Sequence, residues 1–243
     1  MRTTVDRVAR GELLLEQPAE GYRYNADAVI LARFALERCC EPPPRDVVDL
    51  GAGCGVIGLL VAQRTVDARI VLVELQPELA ELCARNAERN ALAGRVETRC
   101  EDLRDGAWRE HLHAPTLLLC NPPFFRVGEG RLSPKPFVAN ARHELTLALA
   151  DLVTAVVPAL ADARSRWALV YPTAREAELA KLLAAHGLFV HQRRAVRAYP
   201  GAPPPPAPPV GKRGPRDTTE LDPLEERDRH RRPNQAREQL PEA

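Results

Sequence analysis

The chain has 243 residues, with 34 Lys and Arg against 33 Asp and Glu and a formal net charge of +1. That balance excludes a histone-like polyelectrolyte, so any contact with nucleic acid must be local. The six cysteines form no CxxC pair and no metal-ligand spacing, which suits a reducing cytosol better than a disulfide scaffold.

The N-terminal MRTTVDRVARGELLLEQ has no uninterrupted apolar core, and no window of the chain approaches the roughly 18 apolar residues of a membrane span. A cytoplasmic protein without membrane segments is expected. GYRYNADAVILARFALERCC reads as a loop followed by an amphipathic helix. From Asp46 to about Tyr199, short apolar runs alternate with helical stretches, the pattern of a parallel sheet flanked by helices. In chain order the expected strands are DVVDL (46–50), RIVLVEL (69–75), RVETRC (95–100), TLLLC (116–120), RWALVYP (166–172) and LFVHQRRAV (188–196). The expected helices are GVIGLLVAQR (55–64), PELAELCARNAERNA (77–91), LADLVTAVVPAL (149–160) and AREAELAKLLAAHG (174–187), with Gly187 as a C-cap. After Tyr199 the composition changes to a proline run and then a charged segment. Residues 201–243 cannot build a core and are expected to be a disordered tail behind a domain spanning 1–200.

VVDLGAGCGVIG puts Asp49 at the end of the first of these strands and Gly51, Gly53 and Gly55 in the turn before a helix, where a ligand can approach the backbone closely. Gly53, Gly55 and Gly58 also spell GxGxxG, which admits a dinucleotide reading. Asp49 argues against it. A carboxylate there would face a pyrophosphate unfavourably, whereas it could accept from the ammonium of a bound amino acid, a group that S-adenosylmethionine carries. Glu74, ending the next strand in VLVELQP, could accept both hydroxyls of a ribose. Asp102, in CEDL after the third, could accept from an adenine amino group. Read singly, these are a tight turn, a solvated acid and a helix cap; at three successive strand ends they form a nucleoside site.

A fourth strand ends in LLLCNPPFF. An exocyclic amino nitrogen is a poor nucleophile because its lone pair is delocalised, and it must be reoriented before it attacks. The Asn121 side-chain oxygen and the Pro122 carbonyl can each accept one of its N–H bonds and turn the lone pair toward a methyl donor. This turn of Asn121, Pro122, Pro123 and Phe124 should border the sulfonium, and Phe124 can stack on the planar group. This chemistry requires neither a metal nor a covalent nucleophile, because the sulfonium methyl is already activated. Between Asn121 and Arg142 the cations Arg126, Arg131, Lys135 and Arg142 face the single acid Glu129, an excess that could grip phosphates beside a splayed base.

VVDLGAGCGVIGLLVA, VELQP and CNPPFF, in this order, resemble the class I methyltransferases, and CNPPFF resembles the N/D-P-P-Y/F signature of those that methylate amino groups. Within them the chain is most similar to the bacterial tRNA1(Val) adenine-N6 methyltransferases, through GYRYNADAVILARFA and ANARHELTLALADLV as well. The resemblance runs from about Gly11 to Pro200. It implies a Rossmann-like α/β fold with helices on both faces of a mostly parallel sheet, S-adenosylmethionine as cofactor, and tRNA as partner, methylated at the adenine beside the anticodon. It also implies a terminal strand after Pro200, where this chain has its proline run. Protein-glutamine and ribosomal-RNA guanine-N2 methyltransferases share related NPP motifs, and a cofactor-binding protein of impaired activity is the remaining alternative.

Overall fold

The computed structural model describes residues 1–20, 23–122 and 148–197, and the backbone of 219–225. Residues 1–188 form one unit; the residues after Leu188 form a second.

Strands β1 (Thr3–Val8) and β2 (Leu13–Pro18) make an antiparallel hairpin in which Val8 faces Leu13. Helix α1 (Ala26–Arg38) follows, burying Ala28, Ile30, Leu31, Ala32 and Ala35. Then come β3 (Asp46–Leu50), α2 (Val56–Ala62), β4 (Arg69–Glu74), α3 (Pro77–Arg89), β5 (Val96–Cys100), β6 (Thr116–Cys120), α4 (Leu149–Val156), β7 (Arg166–Leu169) and α5 (Glu176–Ala185). The five strands from β3 to β7 form one sheet in the order β5-β4-β3-β6-β7, and every pairing in it is parallel.

The alternation of side chains along each strand divides the core into two layers. Val47, Ile70, Leu72, Leu117 and Leu119 pack in one cluster with residues of α1, α2 and α3. Val48, Leu50, Val71, Val73, Leu118 and Cys120 pack in the other, with Trp108 and with Leu152, Ala155 and Val156 of α4. Helices therefore cover both faces. Helix α2 is buried on all sides, which explains why its seven residues are all apolar apart from Gly58.

Most of the expected elements form, with ends set by local chemistry; the strand expected at 188–196 starts only at Gln192 and pairs in a separate two-stranded sheet. Helix α4 gives way to a 3-10 turn at Val157–Leu160, because Pro158 has no N–H to continue the ladder. Strand β7 stops at Leu169, short of Tyr171 and Pro172, after the Val170 N–H has bonded the Cys120 carbonyl at 3.2 Å. The hairpin was not expected from sequence.

In the second unit, β8 (Gln192–Arg197) pairs in parallel with β9 (Thr219–Glu225). The segment expected to be a structureless tail thus contains a strand. An added strand needs only an open backbone edge to pair with, not an apolar core of its own. The register slips between Arg194 and Val196 opposite Leu221 and Leu224, where β9 carries Pro223, a residue with no N–H to give the ladder.

No helix among the described residues is long and apolar enough to cross a membrane.

Candidate active site

The chain runs β3, β4, β5 outward on one side of the sheet and then returns to place β6 on the other side of β3. Ligands of open α/β sheets bind at such a switch point, outside the carboxyl ends of the strands. Register brings the ends of four strands to that edge. Leu50 faces both Val73 and Cys120, and Glu74 faces Cys100, so the glycine turn, Leu75, Glu101 and Asn121 all leave the sheet at one edge.

The turn after β3 has Gly51, Gly53 and Gly55 at φ of 71°, 61° and 86°, a left-handed run that side-chain-bearing residues rarely adopt. Gly51 and Ala52 each donate an N–H to the Val73 carbonyl at 2.9 Å, and the Gly55 N–H closes onto the Ala52 carbonyl at 2.8 Å. Gly58 is required for packing: a Cβ there would lie 2.3 Å from Leu72 Cδ2 and 3.1 Å from Asp49 Cβ.

Asp49 is fully buried on that face. Its Oδ2 accepts the Gly58 N–H at 2.8 Å, while Oδ1 is buried with no hydrogen-bond partner among the described residues. Burial pushes its carboxyl up to about 7, against the Gly58 hydrogen bond, and the nearby Glu74 charge adds to the rise. Glu74 is also buried. Its Oε2 accepts the Gly53 N–H at 2.8 Å and its Oε1 the Gln76 N–H at 2.9 Å, so it ties the ends of β3 and β4 together. Burial raises its carboxyl too, opposed by those two N–H groups. Each carboxylate oxygen can accept more than one hydrogen bond, so Glu74 retains capacity for a ligand.

Asp102 differs. Both its oxygens are held by the Arg104 guanidinium, and Oδ1 also accepts the Arg104 N–H at 2.9 Å; the Arg104 hydrogen bond keeps its carboxyl below the ordinary range. One residue earlier, Glu101 has an Oε2 that is buried without a partner, and its N–H reaches the Glu74 carbonyl at 3.1 Å. Sequence reasoning passed over Glu101 because either of two adjacent acids in CEDL satisfies the same pattern.

At the end of β6, the Asn121 side-chain oxygen is likewise buried and unpartnered among the described residues. Two buried acceptors without donors among the described residues, Asp49 Oδ1 in β3 and Asn121 Oδ1 just after β6, thus flank the switch point. An unmet buried acceptor costs about 1–3 kcal/mol and calls for a specific explanation, a ligand's donor being one. Pro122 ends the described segment. Pro123, Phe124, Arg126, Arg131, Lys135 and Arg142 lie outside the described residues.

Sheet order and the glycine turn at the switch point are those of the class I methyltransferase fold. Residues 28–148 match the methyltransferase small domain family. A tRNA1(Val) (adenine(37)-N6)-methyltransferase of Shewanella amazonensis is 33% identical over 190 residues, 76% of this chain and 75% of that protein. One of Porphyromonas gingivalis is 29% identical over 78% of this chain and 74% of its own. The crystal structure of a predicted O-methyltransferase from Agrobacterium tumefaciens shares the fold with a TM-score of 0.52 at 22% identity, over 82% of this chain and 86% of that one. The chain belongs to the tRNA1(Val) (adenine(37)-N6)-methyltransferase family, a family of N-methyltransferases.

Proposed function

We propose that this protein transfers the methyl group of S-adenosylmethionine to N6 of the adenine at position 37 in tRNA1(Val), in the cytoplasm. The observation that carries the reading is the Asn121 oxygen, buried and without a partner among the described residues, at the carboxyl end of β6, beside the glycine turn.

The residues at the switch point fit the cofactor. Asp49 Oδ1 lacks a donor and an amino-acid ammonium is one; Glu74 has free lone pairs for a ribose diol; the glycine turn leaves room for close approach, since Cβ atoms at Gly51 and Gly53 would meet nothing within 4 Å. At the third strand end Glu101 and Asp102 are both placed to accept from an adenine amino group, Asp102 only by loosening its pair with Arg104. When bound, S-adenosylmethionine supplies an electrophilic sulfonium methyl. The protein's part is orientation. Asn121 Oδ1 and the Pro122 carbonyl accept the two N–H bonds of the target amino group and aim its lone pair, Phe124 stacks on the base, and Pro123 belongs to the same catalytic motif. Arg126, Arg131, Lys135 and Arg142 hold backbone phosphates of the tRNA. The names of the relatives support tRNA as the partner.

The test is transfer of labelled methyl to tRNA lacking the modification, followed by nucleoside digestion. N6-methyladenosine confined to tRNA1(Val) is the expected product. Label appearing instead in guanine-N2 of ribosomal RNA, or in the glutamine of a release factor, would replace the substrate assignment while leaving amino-group methylation standing.

A further inference from the structure

Cys83 and Asn86 on helix α3 and Asn90 at its C-cap recur at i, i+3 and i+7 and so share one face. That face is otherwise apolar, with Leu79, Leu82 and Ala87 buried. A buried carboxamide on such a stripe needs partners, and the backbone supplies them. Asn86 is fully buried. Its Oδ1 accepts the Glu16 N–H at 2.7 Å, and its Nδ2 donates to the Glu16 carbonyl at 2.8 Å and to the Cys54 carbonyl at 2.9 Å. Asn90 repeats the first two contacts one turn on: Oδ1 accepts the Leu14 N–H at 2.9 Å and Nδ2 donates to the Leu14 carbonyl at 2.8 Å. The two amides thus act on the edge of β2 as a neighbouring strand would. Only Asn86 also reaches the glycine turn.

One turn earlier, the Cys83 thiol donates to the Gly53 carbonyl at 3.2 Å. Helix α3 therefore holds two successive carbonyls of the turn, those of Gly53 and Cys54. In a trans peptide the carbonyl and the next N–H point in opposite directions. Drawing both carbonyls toward α3 turns the N–H groups of Cys54 and Gly55 away from it. Glu74 fixes the Gly53 N–H from the β4 side. The peptide planes of this glycine-rich segment are set by these contacts together with the Gly55 N–H bond to the Ala52 carbonyl, which matters because glycines give them little intrinsic preference.

We propose that Asn86 is a positioning residue of the cofactor-binding turn: its carboxamide holds the Cys54 carbonyl and so presets the backbone that receives the amino-acid end of S-adenosylmethionine. This rests on the proposed cofactor, and Asn90 is the internal control, since it makes the same docking contacts to β2 without touching the turn.

Calorimetric titration of S-adenosylmethionine into the wild type, Asn86→Ala and Asn90→Ala, with a melting curve for each, tests it. Both variants should melt lower than the wild type. Only Asn86→Ala should bind the cofactor more weakly, by about tenfold, the worth of one lost hydrogen bond, with turnover at saturating cofactor close to that of the wild type. Equal weakening in both variants, or unchanged affinity in Asn86→Ala, overturns the proposal. Should Asn86→Ala fail to fold, Cys83→Ala takes its place: removing the hold on the Gly53 carbonyl should weaken binding, and Cys83→Ser, which keeps a donor, should restore it. If neither Cys83 variant alters affinity, the proposal fails. A wild type that does not bind S-adenosylmethionine at all refutes the cofactor assignment itself, a result distinct from wild-type binding left unchanged by the variants.

Discussion

Burial holds a proton on Asp49 to about pH 7, far above the ordinary 3.8 of an aspartate. A raised carboxyl binds protons in the folded state that the unfolded chain has already released, so stability should fall as pH rises from about 4 through about 7 and level off above. With Asp49 fully buried, three units at 1.36 kcal/mol each put the change on the order of 4 kcal/mol. Urea unfolding between pH 4.5 and 8 should show the slope, and Asp49→Asn should flatten most of it. The same acid predicts that cofactor affinity rises with pH over this window, because an ammonium prefers the ionised carboxylate. Asn121 works on the other side of the site. If it orients the target amino group and does little for the cofactor, Asn121→Ala should leave S-adenosylmethionine affinity nearly unchanged and slow single-turnover methyl transfer on the order of a hundredfold, about 2.7 kcal/mol of barrier. Near-normal turnover would reduce CNPPFF to a proline corner.

Helix α2 shows how an element depends on one missing methyl group. Exchanging glycine for alanine in a helix interior ordinarily helps, by reducing unfolded-state freedom. At Gly58 the new Cβ would meet Leu72 Cδ2 at 2.3 Å and crowd Asp49, so α2 would have to move off β4. Gly58→Ala is expected to destabilise by about 1–3 kcal/mol, the range for overpacking, whereas Gly94→Ala, with nothing within 4 Å, should be close to neutral. Chemical denaturation of both decides. The element that sequence reading missed, the β1–β2 hairpin, was hidden because its outer strand is mostly exposed and its inner strand LLLEQP lacks clean alternation. It finds its order in the amides of Asn86 and Asn90, some seventy residues away in the chain.

At the scale of the molecule, the buried apolar residues among those described all lie between Val8 and Leu183. We propose that residues 201–243 are dispensable for that core. A chain ending at Pro200 should melt at the same temperature as the full one, although it loses the pairing of β8 with β9. A marked drop would show that the tail supports the fold, and would move the domain boundary beyond residue 200.

Sequence alone determined the alternation of strands and helices from Asp46 onward, because strands buried on both faces read as continuous apolar runs and their helices repeat with a period of 3.6 residues. It also marked Asp49, Glu74 and Asn121 as candidates, since a strand end, a glycine turn, an acid and CNPPFF are each local patterns. What it could not determine was which atoms are already taken. Asp102 and Glu101 are neighbours in one motif, yet one is closed by Arg104 and the other keeps an unpartnered oxygen. Asn86 reads as a polar residue within a helix until β2 and the glycine turn are brought against it. Hydrogen bonds between segments distant in sequence leave no periodic trace in the chain, so only the tertiary structure decides which of the candidate acceptors remain free for a ligand.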